Sequence, residues 1–282
     1  MPDLPVTNMA ALIAKYEVLL LDAYGVLIHH QGAFPGAVEL IAQLNRSGKP
    51  YFVVTNDGVR LIPTLSRVYR TMGLDIDEGH IITPGSLLPQ YFIRHGLQNM
   101  PCVVLGPKET QQYVVQAGGV VIEPKAEAQA QLVVVGNEGG FPFLETMDAL
   151  LTMLFRKLDQ GETMRLILLD ADIIYQKTAT AYGFNTGIVS LLIESAIRLR
   201  YPGSDLGFVC LGKPFSPMFE EAQRRCNTRN MVMIGDQLKT DILGAHNFGI
   251  DSALIATGLT KWTQALQNAT VRPTYLLETL AL

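Results

Sequence analysis

The sequence predicts an α/β fold: a parallel sheet with helices on both faces and a second α/β unit inserted into it. Three observations predict this. Short, continuously apolar runs alternate with segments of helical periodicity along the chain, which is how strands buried on both faces and their crossover helices read. Polar residues follow directly on several of the apolar runs, and in a parallel sheet the carboxyl ends of strands face ligand. The middle third repeats the same alternation with no long linker or low-complexity tract around it, so a second unit is an insertion into the first.

The elements follow in order. Residues 18–21, Val-Leu-Leu-Leu, form a strand closed by Tyr24-Gly25. Residues 36–47 place Val38, Ile41, Ala42 and Leu44 at helical spacing, and Gly48-Lys49-Pro50 stops the helix. Residues 51–54 are the next strand, and 60–72 a helix closed by Gly73. In the middle third, 102–105, 120–122, 132–135 and 165–169 read as strands, with helices at 109–117 and 143–158. Residues 170–185, small and polar, read as loop. A helix over 186–200 and strands over 208–211, 231–234 and 253–255 then return to the first unit. The expected junctions lie near 84 and 178, giving a core of residues 1–84 and 179–282 around an insertion of 85–178.

Composition narrows the function classes. Over 282 residues, 48% hydrophobic and 17% charged content supports a sizeable core and excludes a disordered chain. A net charge of -4 argues against a nucleic-acid binder held by phosphate contacts. Cys102, Cys210 and Cys226 form no CxxC pair, so neither a zinc site nor a disulfide framework is implied, and a reduced, cytoplasmic setting fits. No apolar run approaches the ~20 residues of a membrane span. Residues 1–8 carry an acid and two prolines rather than a basic n-region. The expectation is a soluble protein with no membrane partner. The methionines read as core filler, and Trp262 and Tyr275 as packing or interface residues.

Four places carry chemistry: Asp22-Ala-Tyr24-Gly25, Thr55-Asn56, Gly212-Lys213-Pro214, and Gly235-Asp236 followed by Thr240-Asp241. Singly, each is ordinary cap or turn chemistry. As a set they cohere. Asp22 and Asp236 at neighbouring strand ends repel unless a cation lies between them, and hard oxygen ligands suit Mg²⁺. Thr55 and Asn56 offer a hydroxyl and an amide to an anion, and Lys213 adds a point charge suited to phosphate. The combination fits phosphoryl transfer, in which positioning and charge neutralisation supply most of the rate.

These motifs resemble those of the haloacid dehalogenase (HAD) superfamily of hydrolases. More narrowly they are similar to its class IIA, NagD-like branch, through Thr55-Asn56, Gly212-Lys213-Pro214-Phe215-Ser216-Pro217, and the run from Gly235 through Asp241 to Gly244. The resemblance implies a Rossmann-like HAD core and an inserted α/β cap of the C2 type. Only 34 residues separate Asp22 from Asn56, whereas 157 separate Asn56 from Lys213, which leaves room for a cap only in the second interval. The resemblance also implies roles. Asp22 is the nucleophile of an aspartyl intermediate. Thr55 and Asn56 hold the transferring group, and Lys213 restrains Asp22 and neutralises phosphate. Asp236, Asp22 and the backbone carbonyl of Tyr24 bind Mg²⁺, with Asp241 in support. Asp170 and Asp172 match the cap loop that reaches toward substrate. The partner implied is a small phosphorylated metabolite; a homodimer is left open.

One position departs from the pattern. Phosphatases of this family carry a second Asp two residues after the nucleophile, and here Tyr24 stands there. General acid–base help is worth ~10²–10⁴-fold, and a tyrosine of pKa ~10 is a poor base. Three readings follow. The chain is a Mg²⁺-dependent hydrolase whose leaving group needs little protonation, as an acyl phosphate would, or which uses His29, His30 or Asp57 instead. It is a weak or inactive binder of a phosphorylated metabolite. Or it is a 2-haloacid dehalogenase, against which the cap position argues.

Overall fold

The computed structural model describes residues 4–178, 180–256, 266 and 269–282; Trp262 lies outside them. In chain order, the described strands are β1 (Val6–Thr7), β2 (Val18–Leu21), β3 (Ile28–His29), β4 (Gly32–Ala33), β5 (Tyr51–Val54), β6 (Ile81–Ile82), β7 (Pro101–Leu105), β8 (Val120–Ile122), β9 (Leu132–Val135), β10 (Arg165–Leu168), β11 (Ile174–Gln176), β12 (Tyr182–Phe184), β13 (Phe208–Cys210), β14 (Met231–Gly235), β15 (Asp251–Ile255) and β16 (Tyr275–Leu277). The α-helices are α1 (Met9–Lys15), α2 (Ala37–Ser47), α3 (Ile62–Thr71), α4 (Leu88–His95), α5 (Lys108–Gln116), α6 (Phe143–Asp159), α7 (Gly187–Arg200), α8 (Pro217–Cys226) and α9 (Leu243–Phe248). No described helix is long and apolar enough to cross a membrane.

The chain forms two compact units. Unit 1 comprises residues 1–55, 62–83 and 213–282. Its described strands make a seven-stranded parallel sheet in the order β1-β16-β15-β14-β2-β5-β6. The four residues of β2 are all buried, as are those of β5 and β14, which is why they read as unbroken apolar runs. Leu19 and Leu21 of β2 join Leu40, Ile41 and Leu44 of α2, Val53, Ile234 and Ile255 in one apolar cluster. Spacing of three and four residues puts the α2 side chains on one stripe. Tyr275 is part-buried on β16, packs against this cluster, and its hydroxyl meets that of Tyr16 at 3.2 Å.

Unit 2 comprises residues 56–61 and 84–212. Its sheet is also parallel, in the order β13-β10-β9-β7-β8. Strand alternation sorts its side chains to two faces. Val103, Leu105, Val133, Val135, Leu166 and Leu168 pack with α6 and α7, while Cys102, Val104, Leu132, Val134 and Ile167 pack with α4 and α5.

The sequence pattern names no element at β1, β3, β4, β6, β16, α1, α4, α8 or α9, and two of its placements differ from the structure. The return to unit 1 comes at residue 213 rather than 179. Val189, Ile193 and Ile197 of α7 lie four residues apart and enter the apolar cluster of unit 2, and β13 pairs with β10 rather than with any strand of the first sheet. Residues 170–185 are not all loop. β11 and β12 form an antiparallel hairpin, with Ile174 opposite Phe184. Ile174, Tyr182 and Phe184 are all exposed, so the hairpin buries no face and shows no apolar–polar alternation.

Candidate active site

In unit 1, register brings the acids together. Leu21 at the end of β2 pairs with Ile234 of β14, and the Asp22 N–H donates to the Ile234 carbonyl at 2.9 Å. Asp22 and Asp236 therefore leave adjacent strand tips almost level. Beyond Gln237 the chain makes a π-helical turn, Leu238–Ile242, with Ile242 N–H bonded to the Gln237 carbonyl. Such turns carry one extra residue and recur at functional sites. Here the turn buries Thr240 and Asp241, and the Gln237 N–H donates to Asp241 Oδ2 at 3.1 Å.

Lys213 ties the acids to one another. Its Nζ donates to Asp22 Oδ1 at 2.6 Å and to Asp241 Oδ1 at 2.7 Å. Asp22, Lys213, Asp236 and Asp241 are all buried. Asp22, Asp236 and Asp241 each offer an oxygen within 4.8 Å of the others. Three carboxylates and one ammonium leave a formal charge of -2. Burial and the charge of Asp241 push Asp22 up to about 7, against the opposing pull of Lys213. Burial alone would lower Lys213, but Asp22 and Asp241 overcome it and hold the ammonium above its usual value.

The donor set fits a divalent cation. The ligands are hard oxygens, the charge deficit is two, and all three carboxylates offer an oxygen to one small space. Gly25 makes the close approach feasible. Its φ is +98°, and a Cβ there would lie 2.4 Å from Asp236 Oδ2.

The other expected residues fall as follows. Thr55, buried, follows β5, and its N–H donates to the Ile82 carbonyl at 3.1 Å. Asn56 is the next residue and groups by contact with unit 2. There its Nδ2 donates to Asp170 Oδ1 at 3.2 Å. Asp170 is buried. Its oxygens also accept from the Asp172 N–H and from Asn185 Nδ2, each at 2.9 Å. Asp172 is part-buried beside it, and its carbonyl accepts the Gly187 N–H at 2.8 Å.

Tyr24 is 43% exposed, in the turn where the Gly25 N–H donates to the Ile28 carbonyl. His29 sits on the β3–β4 hairpin. Its Nδ1 accepts the Gln31 N–H, and its ring meets Phe34 edge-on at 4.6 Å; His30 is exposed. Asp57 is a turn cap. Oδ1 accepts from the Val59 and Arg60 N–H groups, and Oδ2 pairs with the Arg60 guanidinium at 2.7 Å. Asn185 was not singled out from the sequence. An Asn ahead of a helix signals a cap, and nothing local shows that it reaches Asp170.

Two family models match the chain: haloacid dehalogenase-like hydrolase over residues 19–120, and HAD-hydrolase-like over 210–282. The chain belongs to the haloacid dehalogenase superfamily and is a hydrolase. A solved structure described as a possible sugar phosphatase of that superfamily, from Cytophaga hutchinsonii, superposes with a TM-score of 0.86 at 27% identity, covering 99% of each chain. Chronophin of Bos taurus is 25% identical over 90% of this chain and 85% of its own. Dihydroxyacetone phosphatase of Corynebacterium glutamicum is 24% identical, over 93% and 88%. HAD phosphatases are thus what this hydrolase is similar to.

Proposed function

We propose that this HAD hydrolase cleaves a small phosphorylated metabolite through an aspartyl-phosphate intermediate on Asp22, with Mg²⁺ as cofactor. The observation that carries the proposal is the buried cluster of Asp22, Asp236 and Asp241 around Lys213. A buried net charge of -2 is costly unless a cation or a function accounts for it. Similarity to relatives described as sugar and dihydroxyacetone phosphatases supports the substrate class.

In this reading a carboxylate oxygen of Asp22 attacks phosphorus, and the bond from phosphorus to the leaving oxygen breaks. Water then attacks the acyl phosphate, releasing inorganic phosphate and restoring the carboxylate. Lys213 holds the Asp22 carboxylate in one rotamer and offsets charge on the transferring group. The Thr55 hydroxyl and the Asn56 amide hold phosphoryl oxygens. Asp22, Asp236, the Tyr24 carbonyl and, in support, Asp241 would hold Mg²⁺, which supplies charge neutralisation on the phosphoryl oxygens.

Tyr24 shapes the substrate preference. With no carboxylic acid two residues after the nucleophile, leaving groups that depart without a proton are favoured, so acyl and aryl phosphates should outrun alkyl monoesters. The exposed Tyr24 side chain favours a second reading, a weakly active or inactive binder of the same phosphorylated ligand. Acetyl phosphate and p-nitrophenyl phosphate, assayed with Mg²⁺ or EDTA beside Asp22→Asn, separate the two. Mg²⁺-dependent turnover lost in Asp22→Asn is expected. Turnover that survives Asp22→Asn overturns the mechanism, and phosphate binding without turnover selects the binder.

A further inference from the structure

Residues 56–61 follow directly on β5, yet they group by contact with unit 2. Side chains of that unit hold the loop. Glu109 Oε2 accepts the Leu61 N–H at 2.7 Å, the Tyr113 hydroxyl donates to the Arg60 carbonyl at 2.7 Å, and the Thr110 hydroxyl donates to the Gly58 carbonyl at 3.2 Å. The bond from Asn56 Nδ2 to Asp170 Oδ1 differ from these in being side chain to side chain, with both partners buried. A carboxylate can only accept, so it fixes which end of the carboxamide faces it. At the other end, a Cβ on Gly212 would stand 2.8 Å from Asn56 Oδ1 and 2.4 Å from the Leu169 carbonyl. The amide oxygen rests where no larger residue fits. Asp170 is itself held by Asn185 Nδ2 and the Asp172 N–H. The Oδ1 of Asn185 accepts the Thr186 N–H at 2.9 Å, which turns its amide nitrogen toward Asp170.

We propose that Asp170, braced by Asn185, is a positioning residue that fixes the orientation of the Asn56 carboxamide for its contact with the phosphoryl group, and does not touch substrate itself. This rests on the reading that Asn56 receives that group. Substrate binding then depends on Asp170 only while Asn56 is present.

A double-mutant cycle tests it. Asp170→Ala is expected to raise KM for p-nitrophenyl phosphate, and the inhibition constant of inorganic phosphate, about tenfold. In an Asn56→Ala background the same change is expected to alter both less than about twofold. Asp170→Asn keeps an oxygen for Asn56 and the Asp172 N–H but turns an amide donor on Asn185 Nδ2. It should raise both constants less than Asp170→Ala does and lose that effect in the Asn56→Ala background, so the cycle is run with it if Asp170→Ala folds poorly. An equal effect of Asp170→Ala in both backgrounds, or no effect in either, overturns the proposal. If the wild-type protein hydrolyses no phosphate ester, the proposed function fails by itself. The cycle is then read from the Kd of inorganic phosphate by calorimetry, with the same expected pattern, and loss of phosphate binding by wild type overturns both.

Discussion

Replacing Lys213 by methionine isolates what holds the acidic cluster together. Methionine keeps much of the length and volume but loses the charge and both donors. The structure sets the scale. Two charge-assisted hydrogen bonds, at 2.6 and 2.7 Å, disappear. With all three carboxylates ionised the formal charge goes from -2 to -3, a state the cluster relieves in part by protonating Asp22, which no longer has the lysine to lower it. Removing one partner of a buried ion pair costs about 3–5 kcal/mol, against a total stability of about 5–15 kcal/mol. Urea unfolding of Lys213→Met in EDTA at neutral pH should show a loss of about 3–5 kcal/mol. Saturating Mg²⁺ should narrow the gap to wild type, because the cation offsets the charge the lysine carried. Adding Asp22→Asn to Lys213→Met should recover part of the loss, since one buried charge is then gone. A stability loss under about 1 kcal/mol in EDTA, or one that Mg²⁺ leaves unchanged, refutes the electrostatic account.

Other predictions concern single contacts. Tyr24→Asp supplies the missing acid and should raise turnover of alkyl phosphate monoesters by about 10²-fold; an unchanged rate means that protonation of the leaving group was not limiting. Gly25→Ala places a methyl against Asp236 at a φ of +98° and should weaken activation by Mg²⁺ at least about tenfold while lowering stability by about 1–3 kcal/mol, read from Mg²⁺ titrations of activity and from urea unfolding. Glu221, on α8, gives a pH test. Burial would raise its carboxyl, but the guanidinium groups of Arg224 and Arg225 outweigh that and hold it below the usual range. Its contribution is therefore present above the unfolded value and lost as pH falls through the lower folded value. Glu221→Gln should cost about 1–2 kcal/mol at pH 7, with the difference from wild type shrinking below about pH 4.5. A pH-independent difference would show that shape, not charge, matters there.

Much of the site was legible in the linear sequence because a buried parallel strand is a local pattern. Asp22, Thr55 and Asp236 each follow an apolar run directly, and a residue there emerges at a carboxyl end whichever strands are neighbours. Lys213 is different: it comes three residues after β13, a strand of the second sheet, so its place beside Asp22 did not follow from strand order. The 157-residue interval before it placed the insertion, because it exceeds any ordinary crossover. Asp57 could not be read as a turn cap, nor Asp170 as a residue held by Asn56, Asn185 and Asp172. Both carry the same carboxylate as Asp22, and only their neighbours in space tell them apart.

The amino-acid sequence by itself determined the α/β class, the alternation of the longer strands and helices, and the residues that follow the apolar runs, because apolar periodicity and turn residues act over a few positions; short elements such as β6, β16 and α4 carry too few residues to show a period. Tertiary structure alone decided that α7 and β13 belong to the second sheet, that β11 and β12 pair as an exposed hairpin, and that Lys213 meets both Asp22 and Asp241. Strand pairing and hydrogen-bond partnership join residues far apart in the chain: 191 positions separate Lys213 from Asp22. No local pattern encodes which of several equivalent partners a strand edge or an ammonium will take.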